Sequence, residues 1–199
     1  MIIFGICSSI NGYNKGVYST QERFEQTIQT INSIKNLNLN TYIILCDNSD
    51  ISNEHKDELV KNVNLFIQSN NSMDSKSYSE SQQMVQIIDN INKLEYDVFF
   101  KISGRYFLKD DFDFNQYNND GINFREFNYD GRFCYSTVLY SFSKKHEDFM
   151  KSNYEKFIIE RSAVDIETGL YNMINNVVNK IKNLGVAGNI APSGEYLEH

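Results

Sequence analysis

The chain has 199 residues, of which 41% are hydrophobic and 23% charged, and carries a formal net charge of −7. That length supports one substantial core and is short for two ordinary domains, and no apolar run approaches the roughly 20 residues of a membrane span. The acidic balance argues against broad nucleic-acid binding, which needs a basic surface to neutralise phosphates, so any phosphate site must be local.

Residues 2–7 and 41–47 are apolar runs of strand length. The opening has no basic leader or cleavage site and reads as a first strand. Between the two runs Phe24, Ile28, Ile31 and Ile34 recur at helical spacing behind Ser19-Thr20-Gln21-Glu22, a capping-box pattern. A short run at 63–67, a polar Asn/Ser loop, and a helix carrying Met84, Ile87, Ile88 and Ile91 on one face lead into a third strong strand at 98–102. This helix would start at Ser77-Tyr78-Ser79-Glu80, a second capping-box pattern. Strands alternating with helices imply right-handed crossovers and a mainly parallel sheet whose strand ends converge along one edge.

After residue 108 the pattern changes. Asp110, Asp111 and Asp113 open an acidic, then Asn-rich, loop, followed by strand-like runs at 122–127 and 133–142 joined through 128–132, a spacing that suits an antiparallel hairpin. A helix is expected near 147–159. A longer one is expected over 165–184, with a stripe of Ile166, Leu170, Met173, Ile174, Val177, Val178 and Ile181, capped by Asp165 and ended by Gly185. Residues 1–196 read as one domain, and Leu197-Glu198-His199 as an expression-tag remnant. Cys7, Cys46 and Cys134 each sit in an apolar run, which predicts buried free thiols and a reducing, cytoplasmic setting.

The segment 96–108 is the most informative. Its apolar strand stops at Lys101, Gly104 and Arg105, and the exit of such a strand is where open α/β sheets bind ligands. Gly104 permits a turn or a close approach, Arg105 offers a planar fork to a phosphate, and Lys101 a point charge. The competing account pairs Arg105 with Asp110 or Asp111. At the other strand ends, Ser8 and Asp47 are expected at one edge, either reading a nucleotide or forming a turn with Asn48 and Ser49. Lys76 precedes a helix start, a fair phosphate or sugar site, and equally suits a solvated loop. Tyr106 is the aromatic favoured to stack on a sugar or base, ahead of Tyr13, Tyr18 and Tyr135. Arg132 and Arg161 are cations without an assigned place. No Gly-x-Gly-x-x-Gly, P-loop, Gly-x-Ser-x-Gly elbow or zinc-spaced His/Cys set is present, which removes the main signatures of dinucleotide oxidoreductases, P-loop enzymes, serine hydrolases and zinc sites.

With strand-helix-strand at the N-terminus, Asp47 ending the second strand, and the block Lys101-Ile102-Ser103-Gly104-Arg105-Tyr106, the sequence resembles the GT-A glycosyltransferases. The resemblance is to small bacterial and phage-type enzymes akin to family 2, and it extends over residues 1–9, 22–34, 47–49, 97–108 and 184–194. It implies a single GT-A-like, Rossmann-like α/β domain with a mainly parallel twisted sheet flanked by helices and a small antiparallel hairpin on the acceptor side. It implies transfer of a sugar from a nucleotide diphosphate sugar, uridine-based, to a saccharide or lipid-linked acceptor in surface-polysaccharide assembly, with inversion. No nucleic-acid partner and no transmembrane segment are expected.

By the same resemblance Asp47 would face the base or ribose and Ser8 would lie beside the nucleotide. The family's metal-binding Asp-x-Asp is replaced here by Ser103-Gly104-Arg105, so Lys101 and Arg105 would supply the charge that Mg or Mn otherwise provides. Asp110, Asp111 and Asp113 remain as metal ligands or as a solvated acidic loop. An acid late in the chain at a helix start acts as base in the resembling enzymes, which points to Glu167 first and Asp165 second, although acids there also stabilise a helix dipole. Two other classes stay open: a catalytically silent nucleotide-sugar-binding module, and a nucleotidyltransferase, which would need paired acids for a metal.

Overall fold

A parallel strand covered on both faces reads as a continuous apolar run, and the first such run forms β1 (Ile2–Ser8), buried from its second residue onward. The structure is a computed structural model that describes residues 1–11, 16–69, 75–117, 120–160, 164–190 and 193–199. From β1 the chain runs through α1 (Thr20–Lys35), β2 (Thr41–Asp47), α2 (Asn53–Asn62), β3 (Leu65–Gln68) and α3 (Lys76–Ile91) to β4 (Val98–Ser103). These four strands pair in parallel in the order β3-β2-β1-β4. The chain therefore leaves β1 on one side and returns on the other, and the carboxyl ends of β1 and β4 flank the point where strand order reverses, the usual crevice for a ligand.

Alternation along the strands divides the core into two layers. Ile3, Cys7, Ile44, Cys46 and Phe99 pack with Met84, Ile87 and Ile88 of α3, whereas Phe4, Ile6, Ile43, Leu45, Phe100 and Ile102 pack with Phe24, Ile31 and Ile34 of α1. Ser19 caps α1 with the expected reciprocal box, its hydroxyl accepting from Glu22 N at 3.2 Å and its own N–H donating to the Glu22 carboxylate at 2.7 Å. The second capping box does not form. Ser75 caps α3 instead, accepting from Tyr78 N, and Glu80 turns into the core.

The second half adds β5 (Tyr106–Leu108), β6 (Ile122–Tyr129), β7 (Arg132–Tyr135), β8 (Leu139–Ser143), α4 (Glu147–Glu160), α5 (Ile166–Ile174), β9 (Val178–Ile181), β10 (Val186–Asn189) and β11 (Tyr196–Glu198). β8 joins β4 antiparallel, extending the parallel core into a mixed sheet. The predicted hairpin is β6–β7, turning through Asp130 at φ 51° and Gly131 at φ 77°, the left-handed pair that matches strand twist. The run at 133–142 is two strands, because the chain breaks at Ser136-Thr137-Val138 to pass from β6's partner to β4's. The single helix expected over 165–184 is also corrected. α5 ends at Ile174, and Val178–Ile181 becomes β9, parallel to β6, because Asn175 caps the helix and the β-branched residues beyond it find an open strand edge. Gly185, at φ 67°, makes the turn into β10 rather than ending a helix.

β5, β10 and β11 form a small antiparallel sheet, in which Tyr196–Glu198, including two residues of the expected tag remnant, pair with Ala187–Asn189. Cys7, Cys46 and Cys134 are separate buried thiols. No helix among the described residues is long and apolar enough to cross a membrane. At Gly5, in the middle of β1, an added Cβ would overlap the Phe99 ring and come within 3.2 Å of Ile87. Gly5→Ala is therefore expected to lower stability by about 1–3 kcal/mol through overpacking, measured as a reduced urea midpoint at unchanged m-value.

Candidate functional site

Helix α1 presents hydroxyls at three-residue spacing, Thr27, Thr30 and Ser33, and they cover the free edge of the chain leaving β4. Thr27 Oγ1 donates to Gly104 O at 3.1 Å, Thr30 Oγ1 donates to Tyr106 O at 2.7 Å, and Ser33 Oγ accepts from Leu108 N at 3.0 Å. Alternate strand residues direct their backbone groups to one edge, which is why positions 104, 106 and 108 are the ones held. Gly104 N also donates to Cys7 O at 2.9 Å, and a Cβ at Gly104 would stand 2.9 Å from Ser8 Cβ. The glycine is required by close approach of two strand ends, and Arg105 projects from a backbone fixed on both sides.

Asp47 and Ser8 are adjacent as expected, in direct register across β1 and β2. The Asp47 carboxylate is wholly buried, however, and saturated: it accepts from Ser8 Oγ at 2.5 Å, Ile10 N at 3.1 Å, Ser49 N at 2.8 Å and Ser49 Oγ at 2.5 Å. Four bonds fill a carboxylate's accepting capacity, so Asp47 shapes the loops and does not face the cleft. Gln83 Nε2 clamps the same strand ends, donating to Ser8 O at 2.7 Å and Cys46 O at 2.8 Å.

Lys101 is likewise placed differently from expectation. It lies on the same face of β4 as Phe99, toward α3, is 0% exposed, and gives its ammonium to Glu80, to Ser103 Oγ at 3.0 Å and to Thr137 O at 2.5 Å. Three donors meet three acceptors, which leaves none for a ligand. Burial pushes the Glu80 carboxyl up, but Lys101, then Lys76 and Arg105, reverse this and hold it below its ordinary value of 4.5. Cys7, beside this pair, is pushed up to about 12 by burial and is no nucleophile.

The cleft over these strand ends encloses about 1360 Å³ and is lined by Ser8, Arg23, Asn48, Lys76, Arg105 and Glu167, among others. Arg105 makes no ion pair with a described acid, neither Asp110 nor Asp111, and its Nε is buried without a hydrogen-bond partner. Burial lowers the Arg105 pKa against the opposing influence of Tyr106, and the group remains a cation. Lys76, at the start of α3, reaches Glu167 Oε1 at 3.3 Å, and Thr137 Oγ1 donates to the same oxygen at 3.1 Å. Asp165 caps α5 by accepting from Thr168 N at 2.7 Å. Burial raises its carboxyl, and the Thr168 bonds outweigh this to set it below its ordinary range, which fits a cap and not a base. The Tyr106 ring is only 5% exposed, so little of its face is open for stacking. Tyr13 and Arg161 lie outside the described residues. The sequence reading missed Glu80 as a cleft residue, and only the burial of the α3 face facing β4 identifies it.

The residues present do not fit a divalent metal at the end of β4. The side chains there are Ser103 and the cation Arg105, and among the described residues no three His, Cys, Asp or Glu side chains cluster to hold one. Asp111 pairs with Lys109 at 3.6 Å and Asp113 caps a short helical turn, both away from the cleft lining.

No protein-family model matches the sequence, and no curated protein matches it. Solved structures do match. A glycosyltransferase involved in glycosylation of the major capsid of PBCV-1 superposes on 90% of this chain and 81% of its own, with a TM-score of 0.52 and 8% identity. The galactosyltransferase LgtC, solved with donor and acceptor sugar analogues, covers 89% and 72% at a TM-score of 0.56 and 10% identity. A nucleoside-diphosphate-sugar pyrophosphorylase from Vibrio cholerae covers 97% and 96% at 0.53 and 11%. Against the longer glycosyltransferase GlyE from Streptococcus pneumoniae, the chain spans 44% of that protein's length. These likenesses show the fold: the chain has the GT-A-type architecture found in glycosyltransferases and nucleotide-sugar enzymes.

The buried pair beneath the cleft generates a stability prediction. Lys101→Met strands the Glu80 charge and is expected to lower stability by about 3–5 kcal/mol, with most of it regained in Lys101→Met/Glu80→Met, read by urea unfolding. Because the folded Glu80 pKa lies below 4.5, its contribution is fully present above that pH and lost as pH falls through the folded value. The double variant should therefore show a shallower acid-unfolding limb than the native protein.

Proposed function

We propose that the protein is a glycosyltransferase that moves a sugar from a uridine diphosphate sugar to a hydroxyl of a saccharide or lipid-linked acceptor, with inversion, in surface-polysaccharide assembly. The observation that carries this reading is Arg105, a partly buried cation without an acidic partner at the strand-order reversal of a GT-A-type sheet. A diphosphate in the cleft gives this guanidinium a counter-charge through charge-assisted hydrogen bonds. Lys76 and the N-terminus of the 16-residue α3 add positive potential on the same side.

In the proposed step the acceptor oxygen bonds to the anomeric carbon as that carbon's bond to the diphosphate oxygen breaks. The electron pair departs with the diphosphate, whose charge Arg105 and Lys76 meet in place of a metal. As Lys76 turns from Glu167 toward the phosphate, Glu167 is released to take the acceptor's proton. Nucleotidyl transfer is the less favoured reading, because it calls for paired acids at the strand end where Ser103 and Arg105 stand.

A thermal-shift series with UDP-sugars, in Mn and in chelator, tests the binding half. Stabilisation should survive chelation and collapse in Arg105→Ala; stabilisation lost on chelation yet kept in Arg105→Ala would overturn it. Glu167→Gln should bind donor normally and turn over about 10²- to 10⁴-fold more slowly. Donor binding by the native protein with neither transfer nor donor hydrolysis across an acceptor panel would instead identify a binding module.

A further inference from the structure

Strand β6 presents a second cation to the cleft, apart from the strand end that holds Arg105. Side chains alternate along β6. Phe124 packs with Tyr135 and Tyr140, and Glu126 pairs with Lys180, whereas Arg125 and Phe127 point the other way and line the cleft. The backbone of Arg125 is fixed on both edges, in register with Ile181 of β9 on one and accepting from Ser136 N at 2.9 Å on the other. No described acid forms an ion pair with its guanidinium, whose described partner is the His199 ring. Burial, and then Arg125 itself, push that imidazole below its ordinary value of 6.5, so it is a neutral neighbour at pH 7 and brings no counter-charge.

The sheet separates this cation from the proposed diphosphate site. Asn123 stands opposite Ser141, and Ser141 opposite Phe100, so Arg125 is level with the end of β4 but two strands away. That is roughly 10 Å at ordinary strand spacing. Between them runs Ser136-Thr137-Val138, whose Thr137 hydroxyl donates to Glu167 at 3.1 Å, so Arg125 adjoins the segment that holds the proposed base. An arginine fork takes a carboxylate or a phosphate through paired charge-assisted bonds, and the half-buried Phe127 ring offers a flat apolar face to a sugar. A neutral acceptor would cover the guanidinium without a counter-charge, at a desolvation cost that an anionic one avoids. We infer that β6 carries the acceptor subsite and that the acceptor is an anionic sugar, its charged group held by Arg125 and its ring covered by Phe127. The inference rests on the glycosyltransferase reading above and narrows its acceptor to an acidic saccharide or a sugar phosphate.

NMR titration of the UDP-saturated protein with matched sugars tests this: methyl glucoside against methyl glucuronide and glucose 1-phosphate, with the galactose counterparts. An anionic sugar should bind about tenfold more tightly than its neutral counterpart, the scale of one hydrogen bond to a charged group. The arm that shows the preference separates a carboxylate from a phosphate. The preference should vanish in Arg125→Gln, with UDP affinity unchanged. It should persist in Arg132→Gln, which removes an exposed cation of the same hairpin outside the cleft lining. Phe127→Ala should weaken neutral and anionic sugars alike, with the amide spectrum otherwise native. Equal native affinity for neutral and anionic sugars, a preference kept in Arg125→Gln or equally lost in Arg132→Gln, or unchanged sugar binding in Phe127→Ala would each overturn the inference. So would a fall in UDP affinity in Arg125→Gln, which would place this cation on the donor. All of these outcomes leave nucleotide binding by the native protein intact. Absence of binding to any nucleoside diphosphate would sink this inference and the proposed function together.

Discussion

The arrangement of the cleft depends on how the chain leaves β4. A strand that ends in solvent can wander, but here the segment from Gly104 to Leu108 is held on one edge by the hydroxyls of Thr27, Thr30 and Ser33 and paired on the other with β10. Gly104 makes this possible by admitting the backbone of β4's exit against Ser8. The consequence is a cation, Arg105, presented at the cleft from a backbone with little freedom.

Charge in this molecule is arranged in two layers. The chain is acidic overall, at −7, yet Arg23, Lys76, Arg105 and Arg125 all line the cleft. Beneath them the buried Lys101–Glu80 pair ties α3 to β4. Such a pair is weak support for net stability, since desolvation offsets much of the attraction, but it fixes the position of α3 relative to the strand end. The start of α3 carries Lys76 and the Ser79 hydroxyl that orients Asn48, so the buried pair links the fold's interior to the cleft wall.

Much of the fold was legible from periodicity. Apolar runs and helical stripes gave β1, α1, β2, α3 and β4, and the short 128–132 connection between two strand-like runs marked the hairpin, because local patterning acts over a few residues. The helix extended to residue 184 failed for a physical reason: Val177, Val178 and Ile181 continue a helical stripe and equally suit a strand, and the vacant edge of β6 decides between them. Short apolar segments carry that ambiguity until their neighbours are known.

At the site, the sequence by itself determined which residue types sit at the strand ends: a serine, an acid and two cations flanking a glycine, at positions 8, 47, 101 and 105. Only the tertiary structure decided which of them face the cleft. Lys101 and Asp47 are charged residues whose partners come from other elements, Glu80 and Thr137 in one case and Ile10 and Ser49 in the other, so their inward commitment has no local signature. Arg105 and Asn48 line the cleft, and no described acid forms an ion pair with Arg105. Hydrogen-bond satisfaction is a property of assembled elements, and a linear pattern of residues does not contain it.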